Sequence, residues 1–148
     1  MRLVTAVASL LPLAACTAGP PSPAPLDTKN DACASCRMTV SDPRFAAQLV
    51  APAEEPRFFD DIGCLRDFLA RSRPRGAVAF VADHCTKAWV PAAAAVYTRV
   101  GGLETPMGSH IVAHADAASR DADPDASGGS PLTPAEVFGP TGPPGGGS

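Results

Sequence analysis

The stretch RFAAQLVAPAEEPRFFDDIGCLRDFLARSRPRGAVAFVADH, Arg44 to His84, carries the signals that decide the fold. RFAAQLVAP (44–52) reads as a strand closed by Pro52, and a second short strand centres on Arg57–Phe59. APAEEP between them has the composition of a hairpin loop. In DDIGCLRDFLARSR the apolar residues Ile62, Leu65, Phe68 and Leu69 recur at helical spacing. Asp60 or Asp61 is available as N-cap, Arg71 and Arg73 stand in the last turn, and Pro74 stops the helix. GAVAFVADH (76–84) is an apolar, partly β-branched run and reads as a buried strand. The order is strand, strand, helix, strand, and it occurs clearly once.

Downstream, short strands are expected near Trp89, over Val96–Val100 and in HIVAHAD (110–116). AASRDADPDAS (117–127) has the character of a frayed helix interrupted by Pro124. No internal repeat is visible. The expectation is a small single α+β domain, mostly antiparallel sheet with one or two helices.

The two ends differ from this body. Met1-Arg2 and the apolar run from Leu3 to Ala15 fit a signal peptide over 1–15; the run falls short of the about 20 residues that span a membrane. LAAC (13–16) has the order of a bacterial lipobox, with Cys16 as the lipidated residue. Residues 16–30 hold four prolines and read as an extended tether. The Gly/Pro-rich 139–148 is expected to be a disordered tail, which leaves 31–138 as the domain. A net charge of −3 without a basic run argues against nucleic acid as a partner. No Ser/His/Asp order, phosphate loop or catalytic carboxylate pair points to an enzyme.

The chemistry lies in sulfur. NDACASCRM (30–38) places Cys33, Cys36 and Met38 within six residues. With Cys16 set aside, four of five cysteines remain: 33, 36, 64 and 85. Two disulfides in an exported structural or interaction lipoprotein would use all four. A redox Cys-x-x-Cys would open a helix after a strand, whereas this one follows a Pro-rich segment. A zinc site would favour two closely spaced pairs, and Cys64 and Cys85 are far apart. Cys64 falls on the helix, where a small core residue is the plain reading. Copper(I) accepts two or three soft ligands and values thioether sulfur. In an extended segment Cys36 and Met38 would share one face. Met107, in TPMGSH, stands in a turn that presents its sulfur, and His110 follows three residues later.

In order along the chain stand a lipobox Cys, CASCRM, TVSDPRFAAQLV, FFDDIGCL, VADHCTKAWVPAAAAVYTR and TPMGSHIVAHAD, with weaker echoes to GGSPLTPAEVF. This series resembles the NosL family of copper-binding lipoproteins that accompany nitrous oxide reductase. The resemblance implies ββαβ units similar to a domain of organomercurial lyase. It also implies no enzymatic activity, copper(I) as the bound ion, and delivery from a copper donor to a cuproenzyme, nitrous oxide reductase. It places the protein in the bacterial cell envelope, lipid-anchored and facing the periplasm. The family's Cys-x-Met falls on Cys36 and Met38, and its Pro-Met-Gly on Pro106, Met107 and Gly108. Cys36 and Met107 are the first expected ligands, followed by Met38 and His110, then Cys33. His110 is not carried over from the family. Arg37 replaces the Gly common between Cys and Met, and is expected to limit the turn there. His114 stands where an aromatic is common. Asp60 and Asp61 are read as helix caps before any role in docking a partner.

Overall fold

A computed structural model describes residues 19–145. The signal peptide, the lipobox and Cys16 lie outside the described residues. The central stretch folds as its pattern requires. β1 (Ala47–Val50) and β2 (Arg57–Phe59) form an antiparallel hairpin. α1 (Ile62–Arg71) follows, and β3 (Val78–Ala82) returns to pair antiparallel with β1. The Asp61 carboxylate caps α1 by accepting the Gly63 N–H at 2.7 Å. Ile62, Leu65 and Leu69 of α1 pack with Leu49, Phe59 and Val81 into the core.

β4 (Trp89–Pro91) joins the far side of β3, so the first sheet runs β2-β1-β3-β4. β5 (Val96–Arg99) and β6 (Ile111–His114) then form a second hairpin. α2 (Ala117–Ala122), a 3-10 turn (Pro124–Ala126) and β7 (Ser130–Leu132) complete a second sheet, ordered β6-β5-β7. β5 thus has the place of β1, flanked by its hairpin partner and by the strand after the helix. The ββαβ unit occurs twice in the structure although no repeat shows in the sequence. The second copy escapes because α2 buries no residue and has no apolar stripe.

α3 (Pro134–Phe138) ends the domain, with Phe138 edge-on to Tyr97 at 5.7 Å between ring centroids. Its start is a capping box: Thr133 and Glu136 each accept a backbone N–H of the other's position. β7 and α3 are additions to the expected elements.

Both expected flanks are attached beyond their expected limits. In the tether, Ala24 exchanges two hydrogen bonds with the buried Gln48 amide, at 2.8 and 3.1 Å, and Leu26 packs on the core. The described part of the tail is bonded to the body of the domain. Arg73 donates to the Gly142 and Phe138 carbonyls, and the Ala79 N–H donates to the Pro144 carbonyl at 3.0 Å. Backbone groups that prolines cannot pair within a helix or sheet find partners on the body. No helix among the described residues is long and apolar enough to cross a membrane.

Candidate metal centre

The segment around CASC closes a tight hairpin against the outer edge of β2. Ala32 pairs antiparallel with Thr39, Cys33 pairs parallel with Phe58, and the Ala34 N–H donates to the Phe58 carbonyl at 2.8 Å. The turn needs one residue in the left-handed region, and Arg37 takes it at φ 70°. Arg37 therefore does not limit the turn as expected from its bulk. It bears a conformational cost of about 1–2 kcal/mol that Gly would avoid.

That turn overturns the expected pairing of Cys36 with Met38. The segment is not extended. The Met38 carbonyl accepts the Cys33 N–H at 2.7 Å, and the Met38 side chain is 57% exposed. Cys36 instead turns inward, toward the junction of β2 with α1.

There Cys33, Cys36, Cys64 and Asp60 converge, with one ligand atom of each within 4.8 Å of the others. Cys33 and Cys64 are buried and Cys36 is half-buried. The Cys36 thiol donates to the Asp60 carboxylate, its sulfur 3.4 and 3.5 Å from the two oxygens. The Cys36 N–H points at Cys33 Sγ, 3.5 Å away. Cys64 comes from the first turn of α1, where the helix N-terminus favours negative charge. The two neighbouring aspartates thus divide their roles: Asp61 caps the helix and Asp60 faces the sulfurs. Cys64 is the buried core residue that its helical position predicts, and it also belongs to the sulfur cluster. Its spacing with Ile62, Leu65 and Leu69 is what hides it.

Burial raises the Cys36 thiol above its usual value, and neighbouring Cys33 and Asp60 add to this against the Met38 backbone N–H. Burial also raises Cys64 strongly, with Asp60 and Cys33 contributing. Both are thiols, not thiolates, at neutral pH in the metal-free protein. A metal ion would displace their protons.

Met107 arrives from the loop between β5 and β6. A cavity of about 270 Å³ is lined by Ser35, Cys36, Cys64, Met107 and Ser109, so the two first-ranked candidates face one space from distant segments. Asp61 holds that loop in place. Its Oδ2 accepts the Thr105 hydroxyl at 2.7 Å and the Met107 N–H at 3.0 Å, while Oδ1 serves the helix cap. Burial pushes the Asp61 carboxyl up, but hydrogen bonds from Ser109, Thr105, and the Gly63 and Met107 N–H groups hold it below its ordinary value. Gly63 permits the close approach, since a Cβ there would lie 3.0 Å from Ser109 Cβ. Gly108 turns the loop at φ 69°.

His110 is placed elsewhere. Its Nδ1 lies 2.7 Å from the Leu103 carbonyl, its N–H donates to Thr105 Oγ1, and it does not line the cavity. Cys85 is exposed and near the Ser119 carbonyl, apart from the three clustered sulfurs. All four described cysteines are free thiols.

The family model described as NosL matches residues 23–138, which is most of the chain. No curated protein and no solved structure matches it.

Proposed function

The chain belongs to the NosL family, and from that premise we propose that it carries copper(I) as cargo and is not a catalyst. In this reading a lipid on Cys16 holds it on the bacterial cell envelope, facing the periplasm. It takes copper from a donor and passes it to a cuproenzyme, with nitrous oxide reductase as the acceptor. The family is an accessory family linked to copper, and the clustered cysteines are a possible metal-binding group. The single observation that carries the reading is the shared cavity of Cys36 and Met107, floored by Cys64.

Sulfur donors in a two- or three-coordinate arrangement suit a soft monovalent ion. We assign Cys36 and Met107 as ligands, with Cys64 or Cys33 as the third. Asp60 is a hard oxygen donor and a poor copper(I) ligand. Its part is to accept the Cys36 thiol hydrogen bond before the ion arrives. Met38 and His110 stay outside the set.

The test is to load reduced protein with copper(I) and measure its affinity by competition with a chromophoric chelator. Cys36→Ser and Met107→Ile are each expected to weaken binding. Unchanged affinity in both variants sinks the assignment. Asp60 beside three cysteines also makes a four-donor set of the kind zinc(II) accepts. Zinc displacing copper(I) from the reduced protein would favour that second reading. A disulfide-bearing lipoprotein without a metal role would instead show two stable disulfides when the thiols of envelope-derived protein are counted.

A further inference from the structure

Three side chains remote in sequence converge in the second half of the molecule and take no part in the sulfur site. His84 follows β3, His114 closes β6, and Asp123 follows α2. Asp123 Oδ2 lies 2.7 Å from His84 Nδ1 and 2.9 Å from His114 Nε2. All three residues are at least nine-tenths buried. The other carboxylate oxygen, Oδ1, accepts the Asp125 N–H at 3.0 Å, which fixes the orientation of the carboxylate.

The histidines are fixed as firmly. The His84 N–H donates to the Ala113 carbonyl at 2.9 Å, joining the end of β3 to β6. Next to His84, Asp83 Oδ2 accepts the Ala115 N–H and the Ser119 hydroxyl, each at 2.7 Å. The end of β3, the end of β6 and the start of α2 are thus clamped together around the triad.

His84 Nε2 and His114 Nδ1 are buried and have no hydrogen-bond partner among the described residues. An ion held by the inward nitrogens would leave these outward ones as they are, so the case rests on the convergence of three buried ligand atoms within 4.8 Å of one another. A polar cluster kept only for packing would be replaced at little cost by apolar side chains. Thr98 Oγ1 is buried and unpartnered too, and Thr98 and Asp123 both border a cavity of about 300 Å³. The position in the fold also matters. His114 is the last residue of its strand before a helix, as Phe59 is in the first unit. The sulfur cluster gathers at that first strand–helix junction, and the imidazoles gather at the second.

We propose that His84, His114 and Asp123 form a second metal site, which takes a divalent first-row transition ion of the zinc(II) class and not copper(I). Two imidazoles and a carboxylate are borderline-to-hard donors and contain no sulfur. Tetrahedral zinc with ligand bonds near 2.0–2.2 Å has ligand–ligand edges of about 3.3 Å. Asp123 and the two imidazoles would therefore separate by about half an ångström. The inward nitrogens, His84 Nδ1 and His114 Nε2, give their lone pairs to the ion. One ring proton then resides on each outward nitrogen, and any further proton leaves to solvent. Bound by the triad, the ion would cross-link three segments that only the tertiary fold brings together.

The experiment uses reduced Cys85→Ser protein whose sulfur site is filled with copper(I) under anaerobic conditions. Cobalt(II) is titrated in as a spectroscopic probe, followed by zinc(II). One equivalent of cobalt is expected, with visible ligand-field bands, no sulfur-to-cobalt charge transfer, and displacement by zinc. His114→Phe and Asp123→Asn should weaken cobalt binding by more than the roughly 10–100-fold typical of losing a supporting hydrogen bond. Copper(I) retention should be unaffected. Circular dichroism reports whether each variant is folded. Failure of the Cys85→Ser protein to bind stoichiometric cobalt overturns the proposal, as does a charge-transfer spectrum of sulfur ligation. So does undiminished binding in either folded variant. If neither variant folds, stoichiometry and spectrum in the Cys85→Ser protein decide. None of these results bears on copper(I) at the sulfur cluster.

Discussion

The most informative perturbation is Asp61→Asn, because Asp61 joins the helix carrying Cys64 to the loop carrying Met107. The amide retains one oxygen, which can still accept the Gly63 N–H and preserve the cap. Its NH₂ group then faces the Thr105 hydroxyl and the Met107 N–H, at the positions now 2.7 and 3.0 Å from Oδ2. The hydroxyl can rotate to accept, but the backbone N–H cannot. The loss is therefore one charge-assisted hydrogen bond to a partly buried N–H, about 1.5–3 kcal/mol. The folded protein should lose roughly that much stability in a urea melt, with the slope unchanged.

If the loop must be re-seated before Met107 can reach the ion, the same free energy appears in binding. At about 1.4 kcal/mol per decade, copper(I) affinity should fall roughly ten- to a hundredfold. Chelator competition on four proteins settles the route: wild type, Asp61→Asn, Met107→Ile and the double variant. Should Asp61 act through Met107, the double variant binds no more weakly than Met107→Ile alone. Additive losses would show that Asp61 influences the site by another path, and the positioning argument would fail.

Three further outcomes are expected. Cys64→Ser should weaken copper(I) binding in the same competition assay, whereas Cys85→Ser, outside the cluster, should not. Burial and neighbouring groups raise the Cys36 and Cys64 thiols above their ordinary value of 9.0, so both are protonated at neutral pH. Each thiol ligand then releases a proton on binding, and affinity should rise by about tenfold per pH unit per thiol between pH 6 and pH 8, roughly; a flat profile would contradict thiol ligation. Arg37→Gly should stabilise the protein by about 0.5–1 kcal/mol in thermal or urea unfolding. Relief of the left-handed strain outweighs the greater freedom of Gly in the unfolded chain, and copper(I) affinity should stay the same.

The first ββαβ unit was legible because its helix has to bury a stripe. Ile62, Leu65 and Leu69 announce α1, and Asp61 announces its start. The second unit lacks such signals. α2 buries nothing, and β7 contains Pro131 in place of a β-branched alternation. Proline is tolerated there because β7 is an edge strand, a fact of topology that no local window contains. α3 was readable after all, from Thr133, Pro134 and Glu136. At the site, the proximity of Cys36 and Cys33 was visible in the chain, and the arrival of Met107 was implied by likeness to a family. Cys64 is concealed by its place on the buried face of the helix, and Asp60 by standing next to the residue that caps it. His84, His114 and Asp123 are joined only by the packing of one unit against the other.

The gradient of burial across the sulfur donors bears on how a carrier would let go. Cys33 is fully buried, Cys64 is 5% exposed, Cys36 is half-buried, and Met107 is 48% exposed. In the carrier role proposed above, an incoming ligand from a partner would meet Met107 first, and Met107 would also be the neutral and weakest donor. Displacing it would leave the charge of the site unchanged and the thiolates still holding the ion, so transfer would begin without a naked intermediate. The thiolates are the costly step, because burial beside Asp60 disfavours them once the ion has gone. Reprotonation of Cys36, with the Asp60 carboxylate again accepting its hydrogen bond, would therefore draw the exchange toward release. In this arrangement the same desolvation that makes loading release protons makes unloading consume them. Release to a copper(I) chelator whose own affinity does not change with pH, read from the absorbance of its complex, should consequently go further toward completion in mildly acidic buffer than at neutral pH.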